Sequence, residues 1–229
     1  MDDQQWRTLL RQYRVIGVIR AESWSLGIAL ATAIAAGGIR LIEITWTSDR
    51  PGSLIEHLRQ RLPHCWIGAG TLLTPADVGN AIAAGAQFGF MPHTDPALIA
   101  LAQSAQMPTI PGALTPTEIV RAWQLGASAV KVFPITAVGG AQYLRQLQGP
   151  LGQIPVIPTG GVSQENGAAL LNAGAIAVGI SSALLPSPLI ATQDWAGLTQ
   201  RTRQLLHHIL TATLDNGTDS DQNLRSLRL

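Results

Sequence analysis

Apolar runs of about five to seven residues recur along the chain, separated by amphipathic or alanine-rich stretches of about ten to fifteen. The short runs read as buried strands at residues 15–20, 40–45, 66–70, 87–91, 109–111, 129–133, 155–158 and 175–179, and the longer stretches as helices. Eight strands alternating with helices predict an α/β fold whose parallel sheet closes into a (β/α)8 TIM barrel. An extra helix over residues 2–14 is expected to cover the barrel base, with a closing helix over 194–214. The domain reading is one barrel over residues 1–214, followed by a polar, flexible tail over 215–229.

Local signals support these boundaries. Thr74-Pro75, Asp95-Pro96 and Thr115-Pro116 each place a capping side chain before a proline at the first helical position, where its missing N–H costs no hydrogen bond. Thr115 and Glu118 have capping-box spacing. Gly37-Gly38, Gly85, Gly126 and Gly174 fall two to four residues before the following strand, as left-handed helix caps do.

Composition narrows the class. The 229 residues suit one barrel of about 200 to 250 residues. A net charge of +1 with 13% charged residues gives nucleic acid or an anionic membrane no electrostatic footprint. One cysteine, Cys65, permits no internal disulfide and fits a reducing cytoplasm. The charged amino terminus is unlike a signal peptide, and glycines, serines and prolines break up the charge-free stretch 166–193, which reads as helix, strand and loop. Low charge with positive mean hydropathy points to self-association. The five histidines show no ligand spacing with thiols or carboxylates, so no metal site is expected.

The chain has a single lysine, Lys131, and it lies inside the apolar run Ala129-Val-Lys-Val-Phe133; the other fourteen basic residues are arginines. Burying an unpaired ammonium costs several kcal/mol, roughly, and the usual relief is a lowered pKa that leaves a nucleophilic amine able to form Schiff bases. Glu43 sits in another apolar strand, with Ile42 and Ile44 facing the opposite way, so both charged side chains can point into the barrel. They read either as a buried structural ion pair or as a nucleophile with a proton shuttle. Active sites of this fold lie at the carboxyl ends of the strands, where the sequence offers Gly70-Thr71, Met91-Pro92 and Pro111-Gly112. Thr159-Gly160-Gly161 after the seventh strand and Gly179-Ile-Ser181 after the eighth offer turns whose N–H groups suit a phosphate or another anion.

Six ordered segments resemble the class I aldolases that cleave 2-keto-3-deoxy-6-phosphogluconate (KDPG) or 4-hydroxy-2-oxoglutarate (KHG). They are Val15-Ile-Gly-Val-Ile-Arg20, Ala36-Gly-Gly-Ile-Arg-Leu-Ile-Glu-Ile-Thr45, Ile67-Gly-Ala-Gly-Thr71, Ile110-Pro-Gly112, Lys131-Val-Phe-Pro134 and Pro158-Thr-Gly-Gly161. The resemblance implies a cytoplasmic homotrimer with a small 2-keto acid substrate, Lys131 as Schiff-base residue and Glu43 as proton carrier. It also implies a pyruvyl end lined by Thr71 and Pro92, a phosphate end at Thr159, Gly160, Gly161 and Ser181, and chemistry that needs no metal or organic cofactor; Thr45, Phe133 and Gly179 are further expected substrate-binding residues. Thr47 stands where the family usually has a carboxylate-binding arginine, for which Arg20 is the expected substitute and Arg50 a weaker one. His93 stands where the family commonly has glycine. These two departures keep KHG cleavage and oxaloacetate decarboxylation open as alternative activities. A barrel that binds an anionic metabolite without catalysis and a phosphate-binding synthase are further readings. The tryptophans read as packing residues, with Trp46 close enough to Glu43 to touch substrate.

Overall fold

A computed structural model describes residues 2–214; the expected tail lies outside them. The strands are β1 (Val15–Ile19), β2 (Leu41–Thr45), β3 (Trp66–Gly70), β4 (Gly89–Phe90), β5 (Thr109–Ile110), β6 (Gly112–Ala113), β7 (Val130–Val132), β8 (Val156–Pro158) and β9 (Val178–Ile180). All pairings are parallel, in the orders β5-β4-β3-β2-β1-β9 and β6-β7-β8, and a Thr159–Gly179 bridge joins β8 to β9. The result is the (β/α)8 barrel expected from the alternation. Nine segments occupy eight barrel positions because the fifth strand is interrupted at Pro111, which has no N–H to give to a ladder. The fourth strand is also shorter than its apolar run, two residues of the expected five.

The helices are α1 (Asp3–Tyr13), α2 (Trp24–Ala36), α3 (Pro51–Arg61), α4 (Pro75–Ala83), α5 (Pro96–Ser104), α6 (Pro116–Gln124), α7 (Ala141–Leu151), α8 (Gln164–Asn172), α9 (Ser187–Ala191) and α10 (Trp195–Leu214). Thr74, Asp95 and Thr115 cap α4, α5 and α6 through their side chains, and Thr115 and Glu118 close a capping box. Gly38, Gly85, Gly126 and Gly174 have positive φ as expected, but Gly37 has φ −77°. Gly37 serves close packing instead, because a Cβ there would press on Thr202 of α10.

Two apolar layers follow from strand alternation. Ile42, Ile44, Ile67, Ala69, Val130 and Val132 pack outward against the helices. Ile16, Leu41, Phe88, Phe90, Ile110, Ala129 and Ile157 fill the interior near the amino ends of the strands. Trp6 and Leu10 of α1 close that end, with Trp6 fully buried and its ring stacked on Phe88 at 4.8 Å between centroids. The interior positions nearer the carboxyl ends hold polar groups and glycines: Glu43 and Thr45 on β2, Gly68 and Gly70 on β3, Lys131 on β7 and Thr159 after β8.

Candidate active site

Lys131 and Glu43 are held by backbone ladders at opposite parts of the barrel wall. Lys131 is in register with Gly112 of β6 and Ile157 of β8, and Glu43 with Val18 of β1 and Gly68 of β3. Both are buried, Glu43 1% and Lys131 7% exposed. Neither makes a side-chain hydrogen bond, and the one ion pair within 4.0 Å among the described residues is Asp49–Arg50 on the surface. A structural Lys–Glu salt bridge, left open by the sequence, is therefore absent between these two residues. Their charges nonetheless interact. Burial raises the Glu43 pKa above its ordinary value, while the positive charges of Lys131 and Arg20 act in the opposite direction. A carboxyl group with this balance can exchange a proton with a bound molecule.

Room for Glu43 comes from across the sheet. A Cβ at Gly70 would overlap the Glu43 carboxyl group, and one at Gly68 would overlap the Phe88 ring. The two inward-facing glycines of β3 thus clear space for an interior aromatic and a catalytic-type carboxylate. Thr71, immediately after Gly70, has φ 60°, a strained conformation for a β-branched residue. Such outliers concentrate where a side chain must be aimed, and Thr71 stands at the barrel mouth.

The Lys131 ammonium position lies 4.9 Å from the Phe133 ring centroid and 5.8 Å from that of Phe90. Phe133 is 39% exposed, and a Cβ at Gly160 would approach its ring to 2.9 Å. Phe133 therefore bridges the lysine to the glycine turn. In that turn Gly160 and Gly161 both have positive φ, 86° and 79°. Thr136, which sequence reasoning missed, donates to the Gly160 carbonyl at 3.3 Å and packs where a Cβ of Gly161 would go. The turn leads into α8, which opens at its Ser163 cap. Thr159 bridges to Gly179, where a Cβ would meet its Oγ1 at 2.7 Å. The Ser181 hydroxyl is exposed and makes no hydrogen bond, and its carbonyl is bonded by the N–H groups of Leu184 and Leu185. Glycine turns, a helix amino terminus and a free hydroxyl together suit an anionic group.

At the other end of the mouth, Thr45 Oγ1 lies 3.1 Å from Thr47 Oγ1 and 3.3 Å from Ser48 Oγ. Ser48 Oγ accepts the Ala21 N–H, tying this loop to the one that carries Arg20. Arg20 is exposed, its side chain makes no hydrogen bond among the described residues, and its charge acts on Glu43. Arg50, the weaker candidate, is already engaged, 3.4 Å from Asp49 Oδ2 and 5.5 Å above the Trp24 ring. The Trp46 ring lies 3.9 Å from where a Cβ of Gly52 in α3 would stand and packs against the apolar layer between the strands and the helices. Pro92 and His93 meet Gly112 closely, and with Phe133 they border a cavity of about 320 Å³ beside the mouth. Among the described residues no three His, Cys, Asp or Glu side chains gather as a metal site. No helix among them is long and apolar enough to cross a membrane.

Comparison with known proteins shows the family and the fold. The family model for KDPG and KHG aldolase matches residues 7–201. The 2-dehydro-3-deoxy-phosphogluconate aldolase of Pseudomonas aeruginosa is 33% identical over 199 residues, covering 87% of this chain and 90% of its own. The KHG/KDPG aldolase of Escherichia coli is 29% identical over 205 residues, 88% of this chain and 96% of its own. Among solved structures, the KDPG aldolase of Legionella pneumophila, crystallised with pyruvate captured as a covalent carbinolamine, superposes with a TM-score of 0.80 at 30% identity. It covers 87% of this chain and 97% of its own. With its barrel, its buried lysine and glutamate and this span of similarity, the chain belongs to the KDPG and KHG aldolase family of carbon–carbon lyases.

Proposed function

We propose that this protein cleaves KDPG to pyruvate and glyceraldehyde 3-phosphate through a Schiff base on Lys131, with Glu43 as the proton carrier. The observation that carries the reading is the pair itself: a buried amine and a buried carboxyl group share the barrel mouth without bonding each other. Lys131, as the free amine, attacks the C2 ketone. Glu43 protonates the leaving hydroxyl of the carbinolamine, so water departs and an iminium forms. As the C4 hydroxyl loses its proton, through water to Glu43, the C3–C4 bond breaks and its electrons pass into the iminium. The resulting enamine takes a proton back at C3, and hydrolysis releases pyruvate and restores the amine.

In this reading Arg20 binds the substrate carboxylate in place of the family arginine, because after Lys131 it is the cation whose charge acts on Glu43. Thr45, Thr71, Pro92 and Phe133 line the pyruvyl end, and Thr159, Gly160, Gly161, Gly179 and Ser181 hold the phosphate. The reading extends to residues 1–214 acting as one unit in a cytoplasmic homotrimer, supported by the low charge and apolar composition. A second reading, KHG cleavage or oxaloacetate decarboxylation as the main activity, draws on Thr47 and His93 at the pyruvyl end. Comparing kcat/KM for the three substrates separates the two.

Borohydride reduction with pyruvate, followed by peptide mapping, tests the core of the proposal. A stable adduct on the sole lysine is expected. An unmodified Lys131 under conditions that trap a known class I aldolase would refute it.

A further inference from the structure

A concavity of about 500 Å³ lies away from the barrel mouth. It opens at the amino ends of β1, β8 and β9, bounded by α1, the α7–β8 connection and the α8–β9 connection. Arg7, Arg11 and Arg14 of the α1 segment all line it, and no acidic residue does. Spacings of four and three residues put these guanidinium groups on one helix face.

Ordinary structural tasks leave these arginines largely unused. Elsewhere in the chain Arg40 donates to the Ala35 carbonyl at 2.8 Å and Arg201 to the Ala183 carbonyl at 3.3 Å. Arg7 uses its Nε on the Asp3 carbonyl and its guanidinium stands 5.6 Å above the Trp123 ring. Among the described residues, Arg11 and Arg14 make no side-chain hydrogen bond and no ion pair. Arg14 is further fixed by its backbone. It holds φ 61° at the end of α1, donating its N–H to Leu10 and accepting the Val178 N–H at 2.8 Å. Burial and the charge of Arg11 both lower its pKa, so the two guanidinium groups stand close enough to repel.

The bland explanation is that helix carboxyl termini attract arginine. Three such termini, of α1, α7 and α8, border the cavity, and each is equivalent to about half a negative charge. Three full positive charges exceed that offset by roughly a factor of two. The surplus remains positive, in a recess large enough for a small metabolite.

We propose that this recess is a second binding site, for a small multivalent anion bearing phosphate or carboxylate groups, with Arg7, Arg11 and Arg14 as its charged ligands. Guanidinium groups suit both chemistries through paired N–H donors. Gln4 and Gln153 at the rim supply neutral donors beside them. The site is separate from the anion turn at Thr159–Gly161, which lies after the carboxyl end of β8.

Calorimetric titration of the full chain with pyrophosphate and, separately, with citrate tests the proposal. Arg11→Gln is the variant of choice because Arg11 is exposed and glutamine is a good helix former, so the fold survives. Expected is a binding event weakened at least tenfold in Arg11→Gln and partly kept in Arg11→Lys. The constant for pyrophosphate inhibition of aldol cleavage should not change. Preference for pyrophosphate would assign phosphate chemistry to the recess, and preference for citrate would assign carboxylate chemistry. The proposal is overturned if neither anion binds the unsubstituted protein at millimolar concentration, or if Arg11→Gln binds both as tightly as before. It also fails if binding and inhibition constants move together, which would trace the anion to the barrel mouth. These outcomes do not depend on which keto acid the mouth cleaves.

Discussion

Gly70→Ala converts the packing at the barrel mouth into a number. The Cβ it adds would stand 2.6 Å from the Cγ of Glu43 and closer still to its carboxyl carbon and one carboxyl oxygen. Carbon atoms in contact sit about 3.5 to 4.0 Å apart, so the Glu43 side chain must retreat by about 1 Å or more. A misplacement of about 1 Å costs on the order of 10²-fold in rate, and complete loss of a general acid–base group costs about 10² to 10⁴. The expected fall in kcat for aldol cleavage is therefore about 10²- to 10³-fold. Crowding a filled interior adds a stability loss of about 1 to 3 kcal/mol. Steady-state pyruvate release, read with a coupled dehydrogenase, gives the first quantity and urea unfolding the second. Gly79→Ala is the control, since nothing lies within 4 Å of its added methyl group on the exposed face of α4. It should gain about 0.5 to 1 kcal/mol and keep its activity. If Gly70→Ala retains kcat within about threefold of the parent (a ratio set against the 10²-fold expectation), Glu43 is not working from its observed position and the proton-carrier role falls.

Removing the Glu43 carboxyl group changes the pH dependence of folding in a defined direction. Its folded pKa is raised, so the native state binds more protons than the unfolded chain between the ordinary carboxyl pKa and the raised one. Stability conferred by the protonated form is present below that window and lost as pH rises through it; Glu43→Gln should flatten this part of the profile, and an unchanged slope would remove Glu43 as its source. Arg20→Gln should raise KM at least tenfold, the equivalent of losing a charged hydrogen bond of about 1.5 to 3 kcal/mol. Lys131 trapping at saturating pyruvate should persist in that variant, and an unaltered KM would return the carboxylate to another ligand. Trp6→Ala should cost about 3 to 5 kcal/mol in denaturant unfolding, because its buried ring closes the barrel base; a loss under about 1 kcal/mol would mean that α1 is dispensable.

What the sequence disclosed was governed by short-range chemistry. Proline at the first helical position, a threonine or aspartate before it and glycine after the last turn constrain φ and hydrogen bonding within a few residues, so α4, α5 and α6 were legible. Period-two alternation likewise put Lys131 and Glu43 on interior faces. The division of the fifth strand at Pro111 was foreshadowed by the missing donor, but the apolar run concealed it. Gly68 and Gly70 were read only as part of a strand-end motif, because the side chains they make room for, Phe88 and Glu43, lie some 20 or more residues away along the chain. Thr136 was missed because its contact with the glycine turn spans 24 residues and no local pattern marks it. Arg20 and Arg50 looked like rivals until Asp49 and Trp24 were seen to occupy the latter. The basic recess needed three connections distant in sequence, so nothing along the chain marked its arginines as a group.

Confining the only lysine to the barrel interior has a consequence for the life of the protein in its own reaction mixture. Aldehydes and keto acids condense spontaneously with exposed primary amines, and a surface rich in lysine would accumulate such products over many turnovers. Here the outward positive charge is carried by arginine, whose guanidinium keeps its proton far above neutral pH and is a poor partner for simple carbonyls. Apart from the chain's α-amino group, the one side-chain amine able to combine with these compounds is the buried one, 7% exposed, in the middle of β7 and inside the barrel where a keto acid is proposed to bind. Adventitious glycation of the surface is thereby suppressed by residue choice alone.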